Sequence, residues 1–433
     1  MQSRAVFAVV QRNPQFRKLW FSQLVSQAGD WLSRIAVLTL IGQLAGAQEA
    51  LAVGGLYSIE LAIRLLPTAA FGPLAGPVAD RLPRRMVMIT ADVLRAGVVL
   101  GLVLVREESD LWLLYTLLLS QMSLAIFFNS ARSGAMPSTV PPNELHEANI
   151  LSAATWSVML ALGTSLGAFM LRVLDIQQIF MIDAGTYCVS AMFLLGLKLP
   201  PVTQHAERFR LRDLILMTDM RRAAQHVRSL GILPVLLAKS FWGAAGGYLV
   251  LISILGSTRF AGGGEFGPTA TSAAGFATGM LYAARGLGTG IGPILGRRFY
   301  GSTPRPLVRQ IVGGFFVAAL GYSLVPFTPD LASACACVFL AHMGGSSIWV
   351  ASTTLLQMHV HNEFRGRVFA LEFLGMTLSF TVGGLLAGLY YDSSGDVDTT
   401  LWGTSIAVAI LGLLWRVLAR RIDFDRCKPA RPE

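Results

Sequence analysis

Apolar runs of roughly 20 residues, each closed by a short polar or basic break, recur along the whole chain. At ~1.5 Å of rise per residue, such a run crosses the ~30 Å hydrocarbon core of a bilayer, so each predicts one membrane-spanning helix. The runs are Leu19 to about Gly42, Leu51–Ala79, Met86–Val105, Leu111–Ala131, Ile150–Leu171 and Ile176–Leu197. After a long polar insertion come Ile232–Leu255, Ala270–Leu295, Val308–Phe327, Leu331–Leu355, Val368–Tyr391 and Leu401–Leu418. The pattern predicts an all-α membrane protein of about twelve transmembrane helices.

The insertion, Pro200–Leu230, carries Arg208, Arg210, Arg212, Arg221, Arg222 and Arg228 and divides the chain. The expected organisation is an N-terminal six-helix half at 1–199, a cytoplasmic linker at 200–230, a C-terminal six-helix half at 231–420 and a tail at 421–433. Leu211, Leu214, Ile215 and Thr218 fall at helical spacing, which predicts a surface helix along the cytoplasmic face. Basic residues cluster in alternate loops. Placing the N-terminus inside leaves only Arg106, Arg172 and Arg259 in the outer ones, so both termini are expected in the cytoplasm.

Composition agrees and removes an alternative. Hydrophobic residues make up 53% and charged residues 14% of the chain, and mean hydropathy is +0.57. The net charge of +10 sits in the loops, so it calls for no nucleic acid. Cys188, Cys335, Cys337 and Cys427 lack metal-ligand spacing and read as small apolar residues, so no metal or other cofactor is expected. AVFAVV near the start is followed by Gln11, Arg12 and Asn13 rather than a cleavage site, so the first span is expected to act as its own insertion signal.

The break after the second run, GPLAGPVADRLPRR at Gly72–Arg85, resembles the loop signature between the second and third helices of the major facilitator superfamily. Gly76, Val78, Ala79, Asp80, Arg81, Arg84 and Arg85 carry the likeness, with Pro83 where that family has glycine. A faint echo, GPILGRRFYG at Gly292–Gly301, occupies the matching place in the second half, as a Gly-Pro turn with Gly296 near the position of the acid. NPQFRKLW, Gly29-Asp30, ARSGAMPSTVPPNEL, YAARGLG and FRGRVFAL are similar to the branch containing the enterobactin exporter and macrolide efflux proteins. The resemblance implies two parallel six-helix repeats, a monomer in a bacterial plasma or inner membrane, and export of a small amphipathic substrate driven by protons. The helix-five antiporter signature includes Gly-Pro, whereas Thr164 follows Gly163 here, which weakens the antiport inference.

Ionisable side chains inside the runs each cost about 2.5 to 3.5 kcal/mol at mid-membrane, so they need partners or water and are the first functional candidates. Asp30 with Arg34, and Glu60 with Arg64, stand four apart near the middle of spans one and two. Asp30 and Glu60 read as proton-coupling carboxylates whose affinity the arginines adjust, or as neutralised pairs pinning helices together. Asp92 and Arg95 read as a structural pair, Glu372 as a gating residue, and Arg285 as a cavity-facing cation lacking an acid three or four residues away. The superfamily resemblance implies that helices one, four, seven and ten line the cavity, which offers Gln27, Gln121, Trp242 and Trp349 to substrate and His342, with an ordinary pKa near 6.5, to protons. Gln23, Ser240, Tyr248, Ser346 and Ser352 are available on the same grounds, with ordinary helix packing as the competing reading.

Gly163-x-x-x-Gly167 and Gly384-x-x-x-Gly388 predict close, sliding helix contacts between the halves. Asp80 is expected to latch onto the start of helix eleven, where Arg365 and Arg367 reinforce the helix dipole. The chain contains no G-x-S-x-G, H-E-x-x-H or phosphate-cradling loop, so neither an enzyme nor an ATP-driven pump is expected. A secondary exporter is the leading expectation. A lysophospholipid flippase and a non-transporting receptor or assembly partner on the same fold are the alternatives.

Overall fold

A computed structural model describes residues 8–46, 53–200, 217–262, 267–301 and 303–422, without the side chains of Gly46, Pro73, Gly76, Pro77, Ala79, Asp80, His146, residues 217–220, Asn362 and Glu363. Every long element is a helix. The first six are α1 (Pro14–Gly46), α2 (Val53–Arg81), α3 (Arg84–Gly101), α4 (Leu111–Ala135), α5 (Leu145–Met170) and α6 (Ile176–Leu195). Then come α7 (Met217–Ser229), α8 (Leu233–Ala244), α9 (Tyr248–Thr258), α10 (Ala270–Tyr300), α11 (Pro304–Leu324), α12 (Leu331–His359), α13 (Asn362–Ser394) and α14 (Val397–Ala419).

Among the described residues, nine helical stretches are long and apolar enough to cross a membrane. Three more helices, α1, α2 and α10, have 33, 29 and 31 residues and hold the charges at Asp30, Arg34, Glu60, Arg64 and Arg285. Large apolar side chains such as Leu104, Trp112, Val173, Ile294 and Leu386 face outward, as a lipid solvent allows. Asp330 starts α12 by accepting from the Ser333 amide at 2.8 Å, and Asp396 starts α14 by accepting from the amides of Asp398 and Thr399. At these exposed caps, the Ser333 backbone bond and the Thr399 hydroxyl bond hold the two carboxyls below their usual range.

The chain forms two compact units that interleave in sequence. One comprises Met1–Leu51, Leu66–Phe209 and Gly256–Ala283, the other Ala52–Leu65, Arg210–Leu255 and Ala284–Glu433. In the first, α1 packs on α5 and α6, and α3 on α4 and α6. In the second, α11 packs on α12 and α14, and α13 on α8.

Three local expectations are corrected. The Gly163/Gly167 face meets α1 of its own unit: an added Cβ at Gly163 would lie 2.7 Å from Trp31 Cβ, and one at Gly167 2.9 Å from the Leu32 carbonyl. Those glycines hold α5 tight against the neighbouring helix rather than at a sliding junction between halves. Gly384 and Gly388, in contrast, meet Leu61, Ser58 and Gly54 of α2, the close contact between an early and a late helix that their spacing predicts. The stretch Gly292–Tyr300 is not a Gly-Pro turn, because α10 runs through Pro293 and the chain turns at Gly301, whose φ is 91°. Pro293 inside α10 lacks the amide for one helical hydrogen bond, and Gly292 beside it packs closely on Met343.

The seventh span is broken between α8 and α9 at Ala245–Gly247, where the Gly246 amide bonds back to the Gly243 carbonyl at 2.7 Å. Phe380 and Ala387 press on Gly246 and Gly247 so closely that side chains there would collide with them. Of the positions that predict a linker helix, Leu211, Leu214 and Ile215 lie outside the described residues, and Thr218 falls in α7, which begins at Met217. Its Ala223 and Val227 are fully buried and His226 stacks on Phe364 of α13 at 4.2 Å, while Arg221, Arg222, Gln225 and Arg228 stay exposed, so α7 is an amphipathic helix with one face packed on protein.

Candidate functional site

In the first unit, the polar residues of α1, α3, α4 and α6 converge. Arg95 donates to Asp30 across the α1–α3 interface at 2.6 Å and lies 3.6 Å from Asp92, one turn earlier on its own helix. Tyr187 of α6 donates to the same Asp30 oxygen, its ring lies 4.2 Å from the Arg95 guanidinium carbon, and Gln121 of α4 donates to the Tyr187 hydroxyl at 2.9 Å. Ser190 donates to Asp92 at 2.6 Å. A third acid, Asp183, stands one turn before Tyr187 on α6, fully buried, and accepts from Ser33 and Thr186. Asp30 keeps 27% of its side-chain surface exposed, whereas Asp92 and Asp183 keep none.

Local sequence makes this convergence possible. Gly29 has no Cβ, and one added there would lie 3.0 Å from Thr186 Cβ and run into the Asp183 carboxylate. Asp30 and Ser33 share one face of α1, and Asp183 and Tyr187 one face of α6. Sequence spacing offered Arg34 as the partner of Asp30. The structure instead gives Asp30 to Arg95, while Arg34 donates to the Tyr282 hydroxyl at 3.4 Å and lies 4.9 Å from that ring. Asp183 escaped the sequence reading because it has no basic residue at three or four positions' distance; the usable signal was an acid alone in an apolar run.

The second unit carries three further polar groupings. Glu60 and Arg64 are ion-paired along α2, as their spacing predicts. Lys239 of α8 meets Glu372 of α13 at 3.0 Å, donates to Thr353 at 2.8 Å and lies 4.4 Å from the Trp349 ring centre on α12. Around the α8–α9 break, Trp242 stacks on Tyr248, Tyr248 on Tyr322, and the Tyr322 hydroxyl is 2.6 Å from His342 Nε2. Arg285 interacts electrostatically with Tyr248 and His342 in this box.

The expected cavity residues therefore separate. Trp349 is 37% exposed, whereas Gln121, Trp242 and His342 are buried and spend their polar atoms or rings on neighbours, Trp242 fitting against Gly345. Gln27, partly buried, accepts from Gln23, which in turn accepts from Arg132 at 2.8 Å. Of the latch residues, Arg84 bonds the Gly134 carbonyl at 2.6 Å, Arg365 the Gln357 and Val360 carbonyls, and Arg367 lies over the Phe364 ring. Arg81 ends α2, and Arg85 lies in the first turn of α3. The side chains of Gly76 and Asp80 lie outside the described residues. No group of three or more His, Cys, Asp or Glu among the described residues is placed to hold a metal.

Among the described residues the fold is all-helical, with nine stretches long and apolar enough to cross a membrane and charged clusters buried among its helices. The Major Facilitator Superfamily model matches residues 19–328, and the chain belongs to that family. It is 24% identical over 404 residues to the putative bacilysin exporter BacE of Bacillus amyloliquefaciens, covering 93% of this chain and 94% of that one. It is 24% identical over 386 residues to macrolide efflux protein A of Streptococcus pyogenes, covering 88% and 90%. The fold matches a solved bacterial homologue of the human lysosomal transporter Spinster, inward-facing, with a TM-score of 0.71 at 14% identity, over 96% of this chain and 98% of that one.

Proposed function

We propose that this transporter is a proton-coupled exporter of small amphipathic molecules, of the drug or siderophore class, working by alternating access as a monomer in a bacterial plasma membrane with both termini cytoplasmic. The observation that carries the coupling is the group Asp30, Asp92 and Asp183 around Arg95, within helices that cross the membrane. Three carboxyls stand against one guanidinium in that group, and the exposure of Asp30 gives it a path to water. The full-length relatives named for export supply the direction. Exposed Trp349 beside Lys239 supplies an amphipathic contact surface for cargo. The six-plus-six division about residues 200–230 remains the working organisation of the two repeats.

The test is accumulation of a panel of dyes, macrolides and siderophores in cells stripped of their own exporters, with and without an uncoupler. Efflux that stops with the uncoupler supports the reading. Efflux that survives it sinks proton coupling, and movement of labelled lysolipid alone would make the chain a flippase.

A further inference from the structure

The three acids of the first unit are not equivalent. Asp30 has a charged hydrogen bond from Arg95 and a second from Tyr187. Asp92 Oδ1 lacks a hydrogen bond but lies within 3.6 Å of the same guanidinium, and its Oδ2 takes a hydrogen bond from Ser190. Asp183 receives only hydroxyl donors, Ser33 from α1 and Thr186 from its own helix, and its Oδ2 is buried with no hydrogen-bond partner. The charged or titratable groups facing it are Asp30 on α1, Arg95 on α3 and Tyr187 on α6, so two of the three can only be neutral or negative.

We propose that Asp183 is the carboxyl that holds the proton in this arrangement, and that Asp30 is its exchange point with water. An anion at Asp183 would have an unpaired buried oxygen and a second anion beside it, both costly in a membrane interior, whereas a carboxylic acid removes the charge. Its carboxyl lies against Gly29, the residue before Asp30, so the closed acid and the open one share the α1–α6 interface. The transfer conserves charge. A proton arriving from water neutralises Asp30 and loosens its hold on Arg95. The guanidinium is then free to stabilise an ionised Asp183, whose proton leaves to water by the same opening.

This assignment rests on the proton-coupled reading for its role in transport, but the location of the proton can be tested separately. Infrared spectra of the purified chain in lipid at neutral pH should contain a protonated-carboxyl band that is lost in Asp183→Asn and kept in Asp30→Asn. A band unchanged in Asp183→Asn overturns the assignment. Should Asp183→Asn not fold, Ser33→Ala serves instead: losing that donor should shift the band, and an unmoved band overturns the assignment equally. In proteoliposomes, Asp183→Asn should bind cargo with an affinity that no longer varies with pH and should lose proton-driven accumulation at least tenfold. Wild type moving cargo without protons would defeat the transport reading, leaving the infrared result to decide where the proton sits.

Discussion

Asp30 and Arg95, 65 positions apart, are joined at 2.6 Å across the α1–α3 interface, where Asp30 also accepts from Tyr187 and Arg95 also reaches Asp92 and Ser26. Arg95 is the guanidinium that the carboxyls of Asp30 and Asp92 share, and both it and Asp92 are fully enclosed. Arg95→Ala should therefore do more than remove an ion pair. It leaves buried carboxyls without their counter-ion, a loss of about 3 to 5 kcal/mol when one partner of a buried pair is deleted. The expected result is a clearly lower midpoint in thermal unfolding in detergent, together with no measurable efflux. Asp30→Asn, which keeps shape and hydrogen bonding, should leave the midpoint nearly unchanged while abolishing drug-gradient formation.

Gly29→Ala tests the same interface from the steric side. The added methyl would press on the Thr186 side chain, its Cβ included, and on the Asp183 carboxylate. Overpacking of this kind costs about 1 to 3 kcal/mol. Reduced expression and a lower unfolding midpoint are expected, with partial recovery in Gly29→Ala combined with Thr186→Ala. A wild-type midpoint in the single variant would show that α1 and α6 can separate without penalty.

The hydrophobic period made the helices legible, because a lipid solvent demands long apolar runs and closed backbone hydrogen bonding. Short-range pairs were legible for the same kind of reason: Glu60 and Arg64 are one turn apart and do meet. Partners on different helices were not. Nothing in the spacing of α1 says that Asp30 will face Arg95 rather than Arg34, since that depends on helix rotation and on which helices become neighbours. The break between α8 and α9 was hidden inside an apolar run, where Gly246 and Gly247 read as tolerated small residues until Phe380 and Ala387 are seen against them.

Asp80→Asn addresses the loop motif at the end of α2. The α2–α3 connection is two residues, Leu82 and Pro83, and Arg84 fastens the start of α3 to the Gly134 carbonyl at the end of α4. The variant should insert and express normally. Transport should fall severalfold if Asp80 takes part in the conformational cycle, as the latch proposal requires; unchanged efflux at equal expression removes it. Arg84→Ala, in contrast, should lower the unfolding midpoint by an amount like that of a lost charged hydrogen bond, about 1.5 to 3 kcal/mol.

Lys239 and Glu372 form the corresponding buried pair of the second unit, and a double-mutant cycle there separates packing from charge. Both side chains are almost fully enclosed, and the Lys239 ammonium is also satisfied by Thr353 and the Trp349 ring. Glu372 has less support: its Oε1 is buried without a hydrogen-bond partner, so its charge depends on Lys239. Lys239→Met should thus be the more damaging single change, by roughly 3 to 5 kcal/mol, since it strands the carboxylate. Glu372→Gln should cost less, because the ammonium keeps a hydroxyl and an aromatic face. The double variant should recover most of the loss, as replacing both members of a buried pair usually does. Unfolding midpoints of the four proteins in detergent provide the measurement. Equal losses in both single variants, with strict additivity in the double, would mean that the two charges do not depend on each other.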